Sequence, residues 1–225
     1  MSKIVVLGAG ISGHTAAAHL RRKLSKEHEV LVVSPNRNYQ WVPSNIWVGI
    51  GRMKSKEVIF PLEPLYKRKG IGYKQAKAIS FHPEGDSSEA KPYILVEGVF
   101  GDNLGKQEKV TYDYLINATG PKLAFDMTEG LQPATNKVYS VCTYDHAEHA
   151  SEALHKLIDQ LKKSDKKAKI LIGTGHAKAT CQGAAFEYIL NVEKELQKFG
   201  VRDKAEITWI SNEYELGDFG MDGML

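Results

Sequence analysis

The sequence predicts an α/β fold with two Rossmann-like dinucleotide-binding-type domains, the second truncated, and three observations carry that expectation. A continuous, mostly β-branched run, Lys3–Leu7, leads into Gly8-Ala-Gly10-Ile-Ser-Gly13 and then an Ala- and Leu-rich stretch. A second strand–glycine–helix–strand unit starts at residue 169. The chain has 225 residues, 42% hydrophobic and 25% charged. These are ordinary globular values, and at ~150 residues per domain the length suits about one and a half domains.

Taken in order, Lys3–Leu7 suits a strand buried on both faces, as in a parallel sheet. His14–Lys26 reads as a helix and Val30–Val33 as a second strand, which closes a strand–helix–strand unit of about 30 residues. Asn36–Gly51 reads as a loop, but Tyr39, Trp41, Pro43 and Trp47 make it too aromatic to lie in water, so it packs on something. Lys56–Lys69 looks helical and is interrupted by Pro61 and Pro64. Gly72–Ser80 and Tyr93–Val99 read as strands around a polar turn. Val110–Ala118 reads as one further strand, and residues 122–140 as a linker. Tyr144–Lys163 is helical, with Ala147, Ala150, Leu154, Leu157, Ile158 and Leu161 at three- and four-residue steps. The lysine-rich run 162–169 is a solvated turn. The second unit then runs through a strand at Lys169–Ile172, Gly173-Thr-Gly175, a helix over Ala177–Phe199 and a strand at Ala205–Ser211. A Gly-rich end holds Gly217, Gly220 and Gly223. The domains are expected at 1–150 and 151–225, the second incomplete because two parallel strands and one helix cannot cover both faces of a sheet.

Composition excludes several classes. Thirty Lys and Arg against 27 Asp and Glu leave a charge of +3, with no basic stripe interleaved with aromatics, so nucleic acid is not an expected partner. No apolar run approaches the ~20 residues of a membrane span. Gly8 and Gly10 break the N-terminal apolar run too early for a signal peptide. Two cysteines, Cys142 and Cys181, do not make a disulfide scaffold. Asp145-His146-Ala-Glu148-His149 places two His three residues apart. A metal would need further ligands and His155 lies on another face, so the segment reads as an acidic helix start and no metal is expected.

The glycine motif has a specific chemistry. Gly8 allows the tight turn, Gly10 lets backbone approach a pyrophosphate, and Gly13 lets helix and strand pack closely. The helix N-terminus supplies N–H groups and a positive dipole to the phosphates. The second strand ends Val33-Ser34-Pro35-Asn36, where an acidic residue would usually hold the ribose of NAD. Ser34 and Asn36 can hydrogen-bond a ribose only without charge, which disfavours NAD at this loop.

At Tyr112-Asp-Tyr-Leu-Ile-Asn-Ala-Thr119-Gly120-Pro121 the chain resembles the second flavin contact of flavoproteins with two dinucleotide-binding domains. Three further segments extend the likeness: Trp41-Val-Pro43-Ser-Asn-Ile-Trp47-Val-Gly49, Ser140-Val-Cys142-Thr-Tyr-Asp-His146-Ala, and Gly173-Thr-Gly175 with Cys181-Gln-Gly-Ala-Ala-Phe-Glu187. Together they resemble the sulfide:quinone oxidoreductases, relatives of flavocytochrome c sulfide dehydrogenase, over roughly the N-terminal half of such a protein.

That resemblance implies FAD held at Gly8, Gly10, Gly13, Ser34 and Pro35, with Ala78 near the adenine, Pro43 near the flavin ring, and Thr119 and Gly120 as a second contact. It implies Cys181 as the redox cysteine and Cys142 as the cysteine that bonds to the flavin in some members. It implies sulfide and quinone as substrates, a peripheral membrane location, and compatibility with a homo-oligomer. The chemistry is coherent from below. Sulfide oxidation needs a cysteine sulfur beside a flavin, and a helix N-terminus favours a thiolate. His176 and Lys178 appear where a second pyrophosphate would need space, so the second glycine loop reads as reused to present Cys181. No cysteine follows Cys181, and the family's later flavin-contacting strand and quinone pocket are not found here. The expectation is therefore an N-terminal piece of such an enzyme. The alternatives are a type II NADH:quinone dehydrogenase-like flavoenzyme and a non-catalytic nucleotide-binding fragment.

Overall fold

The structure, a computed structural model, describes residues 1–132, 138–176, 179 and 181–213. In chain order the elements are β1 (Lys3–Leu7), α1 (Ile11–Lys23), β2 (Glu29–Ser34), β3 (Asn38–Gln40), α2 (Asn45–Gly49), α3 (Ser55–Val58), β4 (Ile59–Pro61) and α4 (Leu62–Lys69). They continue with β5 (Gly72–His82), β6 (Tyr93–Gly98), β7 (Gln107–Thr111), β8 (Tyr114–Asn117), α5 (Tyr144–Lys162), β9 (Ala168–Gly173), α6 (Gln182–Lys198) and β10 (Ala205–Ile210). The chain divides into two compact units, Met1–Gln40 with Ile59–Lys122, and Trp41–Val58 with Leu123–Leu225.

In the first unit a six-stranded sheet runs β7-β6-β5-β2-β1-β8. The pairs β1–β2, β1–β8 and β2–β5 are parallel, and β5–β6 and β6–β7 are antiparallel. β1 lies between β2 and β8 and is buried on both faces, as its β-branched run requires. Val6, Val30 and Val32 pack on one face with Ala17 of α1 and with Leu62 and Tyr66 of α4. Val5, Leu7, Leu31 and Val33 pack on the other with Ile94, Val96 and Val110. This second face shares its core with β6 and β7, the strands of the sheet's antiparallel arm.

Three sequence expectations are corrected here. Val110–Ala118 is not one strand. It splits into β7 and β8, which lie at opposite edges of the sheet. The break falls at Asp113, whose carboxylate accepts the Lys3 N–H at 2.6 Å while its own N–H donates to the Lys3 carbonyl. Asn36–Gly51 is not a plain loop, since it contains β3 and α2. In Lys56–Lys69 the helix is interrupted by a strand, β4, paired antiparallel with β3. Pro61 stands at the N-cap of α4 and Pro64 lies in its first turn, where a missing N–H costs nothing.

The β5–β6 connection is tied by one carboxylate. Asp86 accepts hydrogen bonds from the Tyr93 hydroxyl, from Ser88 N–H at 2.8 Å and Oγ at 2.7 Å, and from Lys109 Nζ at 3.1 Å. The Tyr93 bond first, then those of Ser88, hold its carboxyl well below the usual carboxylate range. A depressed folded pKa contributes stability above the unfolded value of about 3.9 and loses it as pH falls through the folded value. Asp86→Asn therefore lowers the melting temperature at pH 7, and its deficit against the parent chain shrinks as the pH falls below about 4. Paired thermal melts across pH check this, and a deficit that stays constant down to acid pH contradicts it.

In the second unit β9 and β10 pair in parallel from Ala168↔Ala205 to Gly173↔Ile210. One face, with Ala168, Ile170, Ile172, Ala205 and Ile207, packs on Leu154, Ile158 and Leu161 of α5 and on Val192 and Leu196 of α6. The apolar stripe read from the sequence is the buried face of α5: Ala147, Ala150, Leu154, Ile158 and Leu161. Glu195 is 1% exposed in this core and pairs with Arg52, with Lys198 Nζ 3.8 Å away.

Candidate functional site

The first unit builds a glycine-lined cradle at the carboxyl ends of β1, β2 and β8. Leu7 is in register with Val33 on one side and Asn117 on the other, so all three strands end at one edge. Gly8 turns the chain there with φ +95° and donates its N–H to the Val33 carbonyl at 2.8 Å. A Cβ at Gly8 would overlap the Ala118 carbonyl, whose carbon would stand 2.7 Å away, and would lie 3.1 Å from Thr119 Cα. A Cβ at Gly13 would lie 2.9 Å from the Gly8 carbonyl carbon and 3.3 Å from Ala118 Cβ. Gly8, Gly13, Ala118 and Thr119 thus form one close-packed knot that only glycine at 8 and 13 permits.

Gly10 is different. Its Cβ would meet nothing within 4 Å, and the residue is exposed. It is the N-cap of α1, which has no side-chain cap and no acid in its first turn. The N–H groups of that first turn have no acceptor within the helix, so donors, dipole and free space coincide as a pyrophosphate requires. His14, four residues on from Gly10, turns away to the Tyr66 hydroxyl at 3.1 Å and packs near the Tyr39 ring. Burial, then the charge of Lys69, holds its pKa below the usual value, so α1 is anchored by a neutral side chain.

Around this cradle lie the other residues singled out in the first unit. Ser34 is 1% exposed and its Oγ accepts the Asn36 N–H at 3.2 Å. Its side chain thus shapes the turn after β2. Pro35 and Asn36 form the exposed lip. The Asn36 carbonyl accepts from the Tyr73 hydroxyl at 2.5 Å and the Pro35 carbonyl from Gln75 Nε2 at 3.2 Å. Burial, then Glu63, pushes the Tyr73 hydroxyl up to about 12, so it remains a donor. Ala78 lies three residues past Gln75, the partner of Ser34, at the start of a bulge in β5. Thr119 and Gly120 are exposed. Asn117 Oδ1 accepts from both Thr119 N–H, at 3.2 Å, and Thr119 Oγ1, at 2.8 Å. Gly120 has φ +71° with open space beside it.

Pro43, Cys142 and Cys181 belong to the second unit. Pro43 is exposed in the 3₁₀ turn Val42–Ser44 that opens α2. Both cysteines are free and exposed, so Cys181 is not a buried core thiol. It is the N-cap of α6, whose first turn carries no acid. Cys142 donates its N–H to Ser140 Oγ at 3.1 Å. Their elements converge on α2. A Cβ at Gly49 would lie 2.8 Å from Val141 Cγ1 and 3.0 Å from the Tyr188 ring, and the Tyr188 hydroxyl donates to the Gly49 carbonyl at 3.0 Å. Trp41 is exposed, whereas Trp47 packs on the core of α5 and α6. Lys178 and the glycines at 217, 220 and 223 lie outside the described residues. Among the described residues no group of His, Cys, Asp and Glu could hold a metal ion.

The second glycine loop repeats the first in part. Gly173, like Gly8, closes against the end of the neighbouring strand: a Cβ there would stand 2.6 Å from the Ile210 carbonyl carbon. But β1 hands over to α1 across residues 8–10, whereas β9 reaches α6 only after residues 174–181. Among the described residues the first helix after the second loop is α6, and its N-cap is Cys181.

Such a cradle on a parallel sheet defines a dinucleotide-binding protein of the Rossmann type. The chain belongs to the pyridine nucleotide-disulphide oxidoreductase family, which it matches over residues 2–187. This family and the sulfide-quinone reductases are FAD-binding flavoproteins, and the open, uncapped cradle at Gly10 fits that cofactor's pyrophosphate. The chain is 29% identical over 221 residues to the sulfide-quinone reductase of Aquifex aeolicus, covering 98% of this chain and 45% of that one. It is 28% identical over 176 residues to the type II NADH:quinone oxidoreductase of Haemophilus influenzae, covering 77% and 38%. The crystal structure of the A. aeolicus sulfide:quinone oxidoreductase superposes with a TM-score of 0.78 at 28% identity, over 99% of this chain and 46% of that one. The chain thus spans less than half the length of these relatives.

Proposed function

We propose that this chain is the FAD-holding and sulfur-handling portion of a sulfide:quinone oxidoreductase that oxidises sulfide and passes the electrons to quinone at a membrane surface. The observation that carries the reading is the exposed thiol of Cys181 at the N-cap of α6, on a chain that also carries a fitted FAD cradle. When bound, FAD supplies the two-electron acceptor from which quinone is reduced. Gly8, Gly10 and Gly13 would receive its pyrophosphate, Ser34, Pro35 and Ala78 would border its adenosine end, Thr119 and Gly120 would give close main-chain approach, and Pro43 is the residue the family resemblance assigns to the ring. Cys142 is the tether, and Cys181 carries the substrate sulfur. A Cys181 thiolate and a hydrosulfide would become a persulfide: one S–S bond forms, one proton goes to solvent, and the two electrons go to the acceptor that bound FAD would supply. A helix N-terminus favours the thiolate this step needs.

No helix among the described residues is long and apolar enough to cross a membrane, and the association proposed is peripheral. The experiment is the visible spectrum of the FAD-loaded chain before and after anaerobic sulfide. Bleaching that is lost in Cys181→Ser supports the reading. Bleaching by NADH but not by sulfide replaces it with the type II NADH:quinone oxidoreductase reading, which the H. influenzae relative favours.

A further inference from the structure

The two glycine loops differ at their second glycine. Beside Gly10 a Cβ would meet open space. Beside Gly175, at the equivalent place after Gly173, it would meet Leu131, with Cγ at 3.4 Å and Cδ2 at 3.5 Å and Cδ1 closer still. In a dinucleotide loop the second glycine is where the pyrophosphate meets the backbone. In this loop that space holds an isobutyl group, which offers an anion no hydrogen bond.

The leucine is delivered by a built device. Thr128, Glu129, Gly130 and Leu131 form a tight turn in which the Leu131 N–H donates to the Thr128 carbonyl at 3.2 Å. Gly130 takes φ +82°, the left-handed value that the third position of a type II turn needs. Thr128 Oγ1 then donates to the Gly175 carbonyl at 3.1 Å. The turn is therefore latched to the residue it covers, by one hydrogen bond and one apolar contact. Residue 128 lies 47 positions from residue 175, so no local pattern in the sequence announces this.

We propose that Leu131, latched by Thr128, is the specificity determinant that shuts pyridine nucleotides out of the second dinucleotide-type loop. The consequence is that this unit presents no seat for NAD(P)H while keeping the strand and helix that carry Cys181. This deepens the reading given under Proposed function by naming the donor the site refuses. The test contains no sulfide, so its failure is distinguishable from failure of that reading.

The test is saturation-transfer NMR of NADH against the full 225-residue chain loaded with FAD, so that the first cradle is occupied. The parent chain is expected to give no saturable signal. Leu131→Ala is expected to raise the affinity for NADH by at least about tenfold above the bound the parent sets. Thr128→Val keeps the leucine, removes the latch and gives a smaller gain. Circular dichroism establishes that each variant is folded, and if Leu131→Ala does not fold, Thr128→Val decides alone. Saturable NADH binding by the parent chain, equal to that of Leu131→Ala, overturns the proposal. So do folded variants that remain as blind to NADH as the parent.

Discussion

Gly8→Ala is expected to lower both thermal stability and flavin content, whereas Gly10→Ala is expected to lower flavin content while leaving stability nearly unchanged. At Gly8 two costs combine. The backbone sits at φ +95°, where a side chain costs about 1–2 kcal/mol. The new Cβ would also press into the Ala118 carbonyl, and overpacking of that kind costs about 1–3 kcal/mol. The total, roughly 2–5 kcal/mol, is a large share of the ~5–15 kcal/mol that holds a domain folded. At Gly10 neither cost applies, since φ is −72° and nothing lies within 4 Å. Only the N-cap preference for Gly over Ala remains, at most about 1 kcal/mol. The methyl group stands instead in the space left for the pyrophosphate. A melting curve and a flavin-to-protein absorbance ratio, measured on both variants, separate fold from cofactor. A Gly10→Ala chain that keeps its full flavin would show that the cradle is not the phosphate seat.

The second large effect lies away from the cofactor. Arg52→Met leaves the Glu195 carboxylate buried at 1% exposure, with the solvent-exposed Lys198 ammonium, 3.8 Å away, as its remaining ion-pair partner among the described residues. Removing one partner of a buried ion pair costs about 3–5 kcal/mol. The Arg52 side chain is 39% exposed, so water softens the loss, and the low end, about 3 kcal/mol, is expected. For a chain of this size that corresponds to a fall of roughly 6–12 °C in melting temperature. The double variant Arg52→Met with Glu195→Leu removes both charges and is expected to recover most of the loss, because an apolar pair of similar volume fits a core as well as an ion pair does. Chemical denaturation of the two single variants and the double one measures this coupling. Equal and additive losses would mean that Glu195 is satisfied without Arg52.

How far the site was legible depends on the distance over which each signal acts. Gly8, Gly10 and Gly13 are separated by two or three residues, and their roles follow from backbone freedom and from the helix that begins beside them. The stripe of α5 is equally local, because every third or fourth residue shares a face. Ser34 combines two scales: a hydroxyl at the end of the second strand reads as a ribose contact, and the folded turn after β2 adds an Oγ that accepts the Asn36 N–H. For Cys181 a small sulfur residue beside an apolar helix reads more readily as core until the family resemblance is added, and the fold places it exposed at the N-cap of α6.

By itself, then, the sequence determined the strand–glycine–helix unit at the N-terminus, the second strand–helix–strand unit and the buried face of α5, because each rests on contacts within a few residues. Tertiary structure alone decided that Gln107–Asn117 divides between opposite edges of the sheet, that the Ala118 carbonyl closes on Gly8, that Arg52 meets Glu195, and that Leu131 fills the space at Gly175. Each of these joins segments distant in sequence. Such contacts arise when strands align and side chains compete for the same volume, and close packing of the folded chain settles that competition.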